Sequence, residues 1–398
     1  MRIGECYALV CEGNISVRVG FVAGEYPPMQ GGVGAFTREV AQAIVQKGHT
    51  VSVLTRVGVE QVEGSGIEIA AVVGKCWGWS TLGAAARWIE TQQIDIMNIQ
   101  FQTAAYNMHP AIHWLPRYIS AVPVVVTFHD LRTPYLFPKA GPVRTWIVRE
   151  LAHNADAVIA TDRADQKTLI EDWHTSNVCW IPIGSNVTTA PLAGYERGAW
   201  RAKLGVQPDD LLISYFGFLN ASKGGLVLVR ALAYLIEWGI PAYLIMIGGR
   251  AGASDPTNVA YGERVDATIE RHGLNNRVHW TGFVEDELVS AYFLASDLTA
   301  LPYLDGVSLR RGTLMAALAH GQAIVTTSPM AEVPELDKVV HVVPPNDAHA
   351  LAEAILALWN DPPQRKRMGK AAQETARLFS WDRIATQTLA LYEELLSR

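Results

Sequence analysis

The chain is 398 residues long, 49% hydrophobic and 18% charged, with a formal net charge of −6. Such a composition excludes a disordered chain, and the excess of acids supplies no general attraction for a phosphate backbone, so nucleic acid is not an expected partner. The length favours two domains, each large enough to bury its own core. Cys6, Cys11, Cys76 and Cys179 have neither the paired spacing of a zinc site nor the density of a disulfide scaffold, which suits a reducing cytoplasm. No run reaches the ~18–20 apolar residues of a membrane span, and the first residues lack the apolar core of a signal peptide. A soluble protein is expected, cytoplasmic, with at most peripheral contact at the inner face of a membrane.

In chain order, the apolar run Val17 to Ala23, the helical period of Ala35 to Lys47 and the run Thr50 to Thr55 predict a βαβ opening. Short buried-looking runs at Asp95 to Gln100, Val122 to Phe128 and Ala157 to Ala160 follow, separated by enough chain for crossover helices, and predict a parallel sheet. Between Ile181 and Leu192 the pattern lapses into Pro, Gly, Ser, Asn and Thr, the composition of a domain connection. A second α/β series opens at Leu211 to Phe216, with a helix from about Leu226 to Trp238 and a strand at Ala242 to Ile247. Strand-like runs at Val278 to Trp280, Leu298 to Leu301, Ala323 to Thr326 and Val339 to Val342 complete a second parallel sheet. Trp381 to Leu396 carries Ile384, Leu389, Leu391, Leu395 and Leu396 at helical spacing and predicts an amphipathic helix. The domains expected are 1–188, 189–380 and a C-terminal helix, 381–398, packing back on the first domain.

Four loops carry residues suited to phosphate or sugar chemistry. Gly31, Gly32, Val33 and Gly34 sit between the first strand and the first helix, where glycines admit a ligand to the backbone and the helix start favours an anion. Their G-G-x-G order lacks the dinucleotide fingerprint G-x-G-x-x-G. His129 and Asp130 follow Val124 to Phe128, at the carboxyl end of a strand, where open α/β sheets bind ligands. The histidine there can donate to a sugar hydroxyl or stabilise developing charge; Asp130 can equally serve as a turn cap. Gly217 to Gly224 reads G-F-L-N-A-S-K-G and places Lys223 where an ammonium can neutralise a departing diphosphate. Asp305 to Thr313 offers Ser308, Arg310, Arg311, Gly312 and Thr313 ahead of a helix, with two guanidiniums whose forks match phosphate oxygens. One of that arginine pair is expected to be engaged by a carboxylate.

Taken together in order, these segments resemble a family 4 glycosyltransferase of the GT-B fold over nearly the whole chain. The opening unit with Y-P-P, G-G-V-G, K-G-H-T-V and S-V-L-T resembles that of the family, and T-F-H-D at 127–130 resembles its histidine loop. A-D-A-V-I-A at 155–160 and I-P-I-G at 181–184 resemble the end of its first domain. G-F-L-N-A-S-K-G at 217–224, I-G-G at 247–249, T-G-F-V at 281–284 and A-L-A-H-G at 317–321 resemble its donor domain. The resemblance implies two Rossmann-like domains whose parallel sheets face each other across a cleft, holding a nucleotide diphosphate sugar in UDP or GDP form. Gly217, Lys223, Gly249, Phe283 and Val284 would contribute to the donor side. It also implies transfer with retention, no metal and no cofactor, Lys223 and an arginine on the leaving diphosphate, and His129 positioning the sugar.

Two departures stand out. Phe218 occupies the place where such enzymes commonly carry arginine, and the usual pair of glutamates falls on Ser308 and Ala316. Arg310 or Arg311 is the expected replacement for the missing charge. The altered glutamates keep open a degenerate protein that binds a nucleotide or glycan without catalysis; a third alternative is an NAD-dependent oxidoreductase. The acceptor is expected to be a glycan, a lipid-linked sugar or a small molecule. Lys139, Arg144, Trp146 and Arg149 form a basic and aromatic stretch that suits a lipid-linked acceptor at a membrane surface or, as an ordinary amphipathic helix, none.

Overall fold

The computed structural model describes residues 16–29, 31–61, 63–74, 76–131, 141–249 and 256–398. In the first half, short runs rich in Val and Ile form β1 (Arg18–Ala23), β2 (Thr50–Arg56), β3 (Ile67–Val73), β4 (Ile96–Phe101), β5 (Val124–Phe128), β6 (Ala157–Ala160) and β7 (Val178–Trp180). They join in the order β3-β2-β1-β4-β5-β6-β7, every pairing parallel. β1, β4, β5 and β6 are buried on both faces, which is why they read as near-continuous apolar runs. The pattern did not reveal β3 or β7, the two edge strands. Alternation at β3 is blurred by partly exposed alanines, and β7 has three residues, none fully buried.

The second half gives β8 (Leu211–Phe216), β9 (Ala242–Ile247), β10 (Val278–Trp280), β11 (Leu298–Leu301), β12 (Ile324–Thr327) and β13 (Val340–Val343). Their order is β10-β9-β8-β11-β12-β13, again parallel throughout. The chain divides into two compact units, one running up to Gly184 together with Ser380–Arg398, the other spanning Ser185–Phe379.

The last helix, Trp381–Leu396, belongs to the first unit because of its apolar stripe. Ile384, Ala385, Leu389, Leu391, Tyr392 and Leu395 are buried in one cluster with Val19, Phe21, Ile96 and Val125 of the sheet and Phe36, Val40 and Ile44 of the first helix, Gly32–Gln46. Ser380 caps it, its hydroxyl accepting from the Arg383 N–H at 3.3 Å, and Asp382 in its first turn pairs with Lys47 at 2.6 Å. Among the described residues no helix is long and apolar enough to cross a membrane. Ile384 is fully buried at this seam, so Ile384→Ala is expected to cost about 2–5 kcal/mol of stability. Urea unfolding followed by a probe in the first unit measures it; a loss under about 0.5 kcal/mol contradicts the packing described.

Candidate functional site

In a parallel sheet whose strand order reverses, the loops leaving the two strands at the reversal diverge and open a crevice at their carboxyl ends. In the second unit that point lies between β8 and β11. The loop after β8 begins with Gly217 in the left-handed region, φ +110°, and ends in a short turn, Ala221–Lys223, capped by Asn220, whose side-chain oxygen accepts from the Lys223 N–H at 3.1 Å. Gly224, φ +71°, closes the turn so tightly that a Cβ there would stand 1.9 Å from the Pro302 carbonyl. The Leu304 N–H donates to the Ser222 carbonyl at 2.7 Å, so the loops after β8 and β11 are laced together.

This lacing places Lys223 over Gly217. A Cβ on Gly217 would lie 3.1 Å from the Lys223 ammonium and 2.6 Å from a methyl of Thr313. Burial, and then the charge of Arg311, push the pKa of Lys223 down to about 8. Arg311 is mostly buried, pairs with Asp305 and lies with its guanidinium 4.7 Å from the centre of the Tyr303 ring. Its Nε is buried without a hydrogen-bond partner, as is the Ser308 hydroxyl. Thr313, in the first turn of the helix Gly312–Ala319, shares a 2.6 Å hydrogen bond with the buried Tyr303 hydroxyl. Arg310 is partly exposed and Gly312 exposed. Of the arginine pair, Arg311 is the one coupled to Lys223.

A third loop adjoins these two. Gly248 forms an antiparallel bridge with Gly282 and packs on Gly217, where an added Cβ would meet Gly217 backbone at 3.3 Å. Gly249 follows it, and next to Gly282 stands Phe283, 67% exposed, with Val284 partly covered. Gly217, Lys223, Arg311 and Thr313 therefore form one group, with Gly249, Phe283 and Val284 on the same strand-end face.

The first unit has its own reversal, between β1 and β4. The glycine loop after β1 is already engaged: the Glu25 carboxylate accepts from the N–H groups of Val33 at 3.1 Å and Gly34 at 3.4 Å. A Cβ on Gly31 would sit 2.0 Å from that carboxylate and push it aside, and Gly34 backs onto the Glu25 carbonyl. Gly32 has open space around it. Burial raises the Glu25 pKa against the opposing pull of the two N–H groups and the Arg56 guanidinium. An anion at this helix start thus has to displace Glu25. Gln30 lies outside the described residues.

His129 and Asp130 leave the end of β5, both partly exposed. Alternation along the strands puts Asn98 and Gln100 of β4 on the face shared by Thr127 and His129, with the pairs Asn98–Val125 and Gln100–Thr127 in register. His129 Nε2 lies 2.9 Å from Gln100 Oε1, and the ring meets Phe36 edge-on at 4.8 Å between centroids. Burial drives its pKa down to about 3, so the imidazole is neutral. Its Nε2 edge is taken by Gln100.

Glu25, Asn98 and Gln100 escaped the sequence reading. Their signals were a carboxylate six residues before a glycine pair and an Asn-x-Gln step inside an apolar strand. Of the basic and aromatic stretch, Trp146 is exposed on the helix Gly141–His153 and Arg149 partly exposed. Lys139 and the side chain of Arg144 lie outside the described residues, as do Cys6 and Cys11; among the described residues neither Cys76 nor Cys179 is in a disulfide. Among the described residues no three His, Cys, Asp or Glu side chains cluster as metal ligands.

Two family models match the chain, Glycosyltransferase Family 4 over residues 30–188 and Glycosyl transferases group 1 over residues 196–375. A D-inositol 3-phosphate glycosyltransferase of Corynebacterium aurimucosum is 29% identical over 313 residues, covering 73% of this chain and 71% of that protein. A phosphatidyl-myo-inositol mannosyltransferase of Mycobacterium leprae is 24% identical over 396 residues, covering 95% of this chain and 96% of that protein. Among solved structures, Anabaena HepE in complex with UDP and glucose superposes with a TM-score of 0.74 at 19% identity, covering 96% of this chain and all of that one.

The tight closure at Gly224 generates a test. Gly224→Ala adds a side chain in a left-handed residue and against a carbonyl, so it is expected to destabilise by more than the roughly 1–2 kcal/mol of the backbone strain alone. Thermal unfolding measures this; an unchanged midpoint would show that the two loops are not held together as described.

Proposed function

We propose that this chain, which belongs to glycosyltransferase family 4 and the group 1 glycosyl transferases, moves a sugar from a nucleoside diphosphate to a hydroxyl acceptor, with retention at the anomeric carbon and without a metal ion. Family membership and the α/β architecture remove the oxidoreductase alternative. The observation that carries the donor assignment is the Lys223 ammonium, largely withdrawn from water over the bare Cα of Gly217 and coupled to Arg311.

In glycosyl transfer from such a donor, the bond from the anomeric carbon to the diphosphate oxygen breaks and negative charge grows on the leaving group. A preset cation in a poorly solvated place stabilises that charge more than it stabilises the ground state. Lys223 is suited to the role, with Arg311 as the second cation and the N–H groups at the start of Gly312–Ala319 as further donors. Gly217, without a Cβ, lets the diphosphate approach the β8 end. Phe283, exposed beside the Gly248–Gly282 bridge, offers a ring face for a nucleobase. A neutral His129 suits the vicinity of a sugar acquiring positive charge, which an imidazolium would oppose.

UDP is the form to try first, since HepE was crystallised with UDP and glucose. The names of the inositol phosphate and phosphatidyl-inositol relatives support a phosphorylated or lipid-linked polyol as the first acceptors to test. A thermal-shift panel of nucleoside diphosphates and nucleotide sugars tests the donor class: a true donor at ~100 times its Kd should stabilise by ~2.7 kcal/mol. Retention is checked by NMR of the product anomer, and metal independence by an unchanged rate in EDTA.

Two further outcomes are expected. Lys223→Ala should lower kcat/KM by roughly 10²–10³-fold, the usual loss for one preset donor to a developing anion; a loss below about threefold removes Lys223 from the mechanism. The pH dependence has a definite sign. Because burial lowers the Lys223 pKa to about 8, the cation is present at neutral pH and is lost as pH rises through that value, so kcat/KM should fall on the alkaline side. Lys223→Arg, charged at every accessible pH, should abolish the fall; a wild-type profile flat to about pH 9.5, short of the ordinary lysine pKa, contradicts the assignment.

A further inference from the structure

Asn98 and Gln100 lie fully inside the sheet, on a strand otherwise made of Ile, Met and Phe. Polar groups so placed persist only when paired, and here the pairs form one continuous chain. Tyr392, on the C-terminal helix and fully buried, has its hydroxyl 2.7 Å from Asn98 Nδ2. Asn98 Oδ1 accepts from two donors, Gln100 Nε2 at 3.0 Å and the Thr127 hydroxyl at 3.0 Å. Gln100 Oε1 is then left to face His129 Nε2 at 2.9 Å.

An amide has one accepting and one donating end, so each orientation fixes the next. With Asn98 donating to Tyr392, its oxygen faces Gln100; Gln100 must meet that oxygen with its NH₂ and turn its own oxygen to His129. A carbonyl oxygen opposite Nε2 requires that Nε2 carry the proton. Burial keeps the ring neutral, so it holds a single proton and Nδ1 is left bare. No hydrogen-bond partner for Nδ1 occurs among the described residues.

We infer that Asn98 and Gln100 are positioning residues: with Asn98 donating to Tyr392, their amides fix the tautomer of His129, so that Nδ1 meets a sugar hydroxyl as an acceptor. The second half of this inference rests on the proposed place of His129 beside the transferred sugar. The first half does not. The network has one other self-consistent arrangement, with both amides turned over and Tyr392 as donor, which moves the proton to Nδ1. The tyrosine hydroxyl is where the two arrangements part. In Tyr392→Phe the Asn98 NH₂ loses its acceptor, and turning over gives that NH₂ the Gln100 and Thr127 oxygens while the Asn98 oxygen takes its place against the ring, so the two arrangements come into balance. Gln100 must then turn as well, since two NH₂ groups cannot face each other, and its NH₂ would meet His129 Nε2.

Long-range ¹H–¹⁵N spectra of the full-length protein at neutral pH, with the His129 signals identified by their loss in His129→Gln, test the relay directly. Wild type should give the pattern of a neutral Nε2–H imidazole, and Tyr392→Phe should convert it wholly or partly to Nδ1–H. Should Tyr392→Phe fail to fold, Gln100→Met, of similar volume and without an amide, should likewise release the tautomer. A wild-type Nδ1–H pattern, or a pattern unchanged in the variant that folds, overturns the relay. Transfer kinetics on the same samples address the site. With the tautomer released, kcat should fall roughly fivefold, the worth of one ordinary hydrogen bond, with KM for the donor unchanged. A released tautomer with unaltered kcat overturns the role of His129 at the sugar and leaves the relay standing.

Discussion

The second unit's chemistry depends on one ammonium being kept largely from water. Lys223 has no carboxylate of its own among the groups that shift its pKa; burial and a second cation both act against its charge. Such an arrangement costs stability and persists because the backbone leaves the side chain little choice. Gly224 turns the chain against the Pro302 carbonyl, Asn220 fixes the turn, and the ammonium comes to lie over Gly217, a residue without a side chain. On the proposed reading, an anion restores what the lysine lost on desolvation, and the reversal of strand order opens the loops at that same point.

The first unit meets the opposite problem. Its glycine loop is positively polarised by the helix behind it, and Glu25 of the same chain satisfies that polarity. Its strand β4 carries two amides: Asn98 donates to a tyrosine of the last helix, and Gln100 donates to Asn98. The first solution is local, and the second joins segments far apart in sequence. The C-terminal helix is therefore more than a cover for the apolar face of the first sheet: it supplies the group at the end of a polar path leading to His129.

Much of this was legible in the sequence, for identifiable reasons. β8, β9, β10 and β11 were read at their observed limits because buried parallel strands are uninterrupted apolar runs ended by Gly, Pro or a charged residue. Trp381–Leu396 was read from its stripe alone. The loop residues Gly217, Lys223 and Thr313 could be placed at strand ends, which is enough to bring them near one another once the strands are adjacent. What could not be read was pairing. Nothing in the spacing of Arg310 and Arg311 says which of them turns inward to Tyr303 and Asp305. Nor does a glycine-rich loop reveal that a glutamate six residues earlier folds back onto it. Edge strands β3 and β7 were missed where partial exposure blurs the apolar signal, although the comparably exposed edges β10 and β13 kept enough of it to be read.

The charge balance around Lys223 follows from the departures noted in the sequence. The family resemblance places one arginine, one lysine and two glutamates about the nucleotide; their formal charges cancel. Here Phe218 replaces the arginine, Ser308 and Ala316 replace the glutamates, and Arg311 arrives with Asp305 as its partner. Counting Lys223, Arg311 and Asp305, the group is more positive by one than the pattern it resembles, and among the described residues no carboxylate pairs with Lys223. Ala316 is buried within its helix and can offer a ribose no hydrogen bond, while the Ser308 hydroxyl is a single group, buried and unpartnered. On the proposed reading, charge therefore carries more of the donor's binding and ribose hydroxyls less. Charge is indifferent to the base beyond the diphosphate. Discrimination among nucleotides then falls on the exposed ring of Phe283 and the loop that carries it, an apolar surface beside the Gly248–Gly282 bridge on which a base can stack.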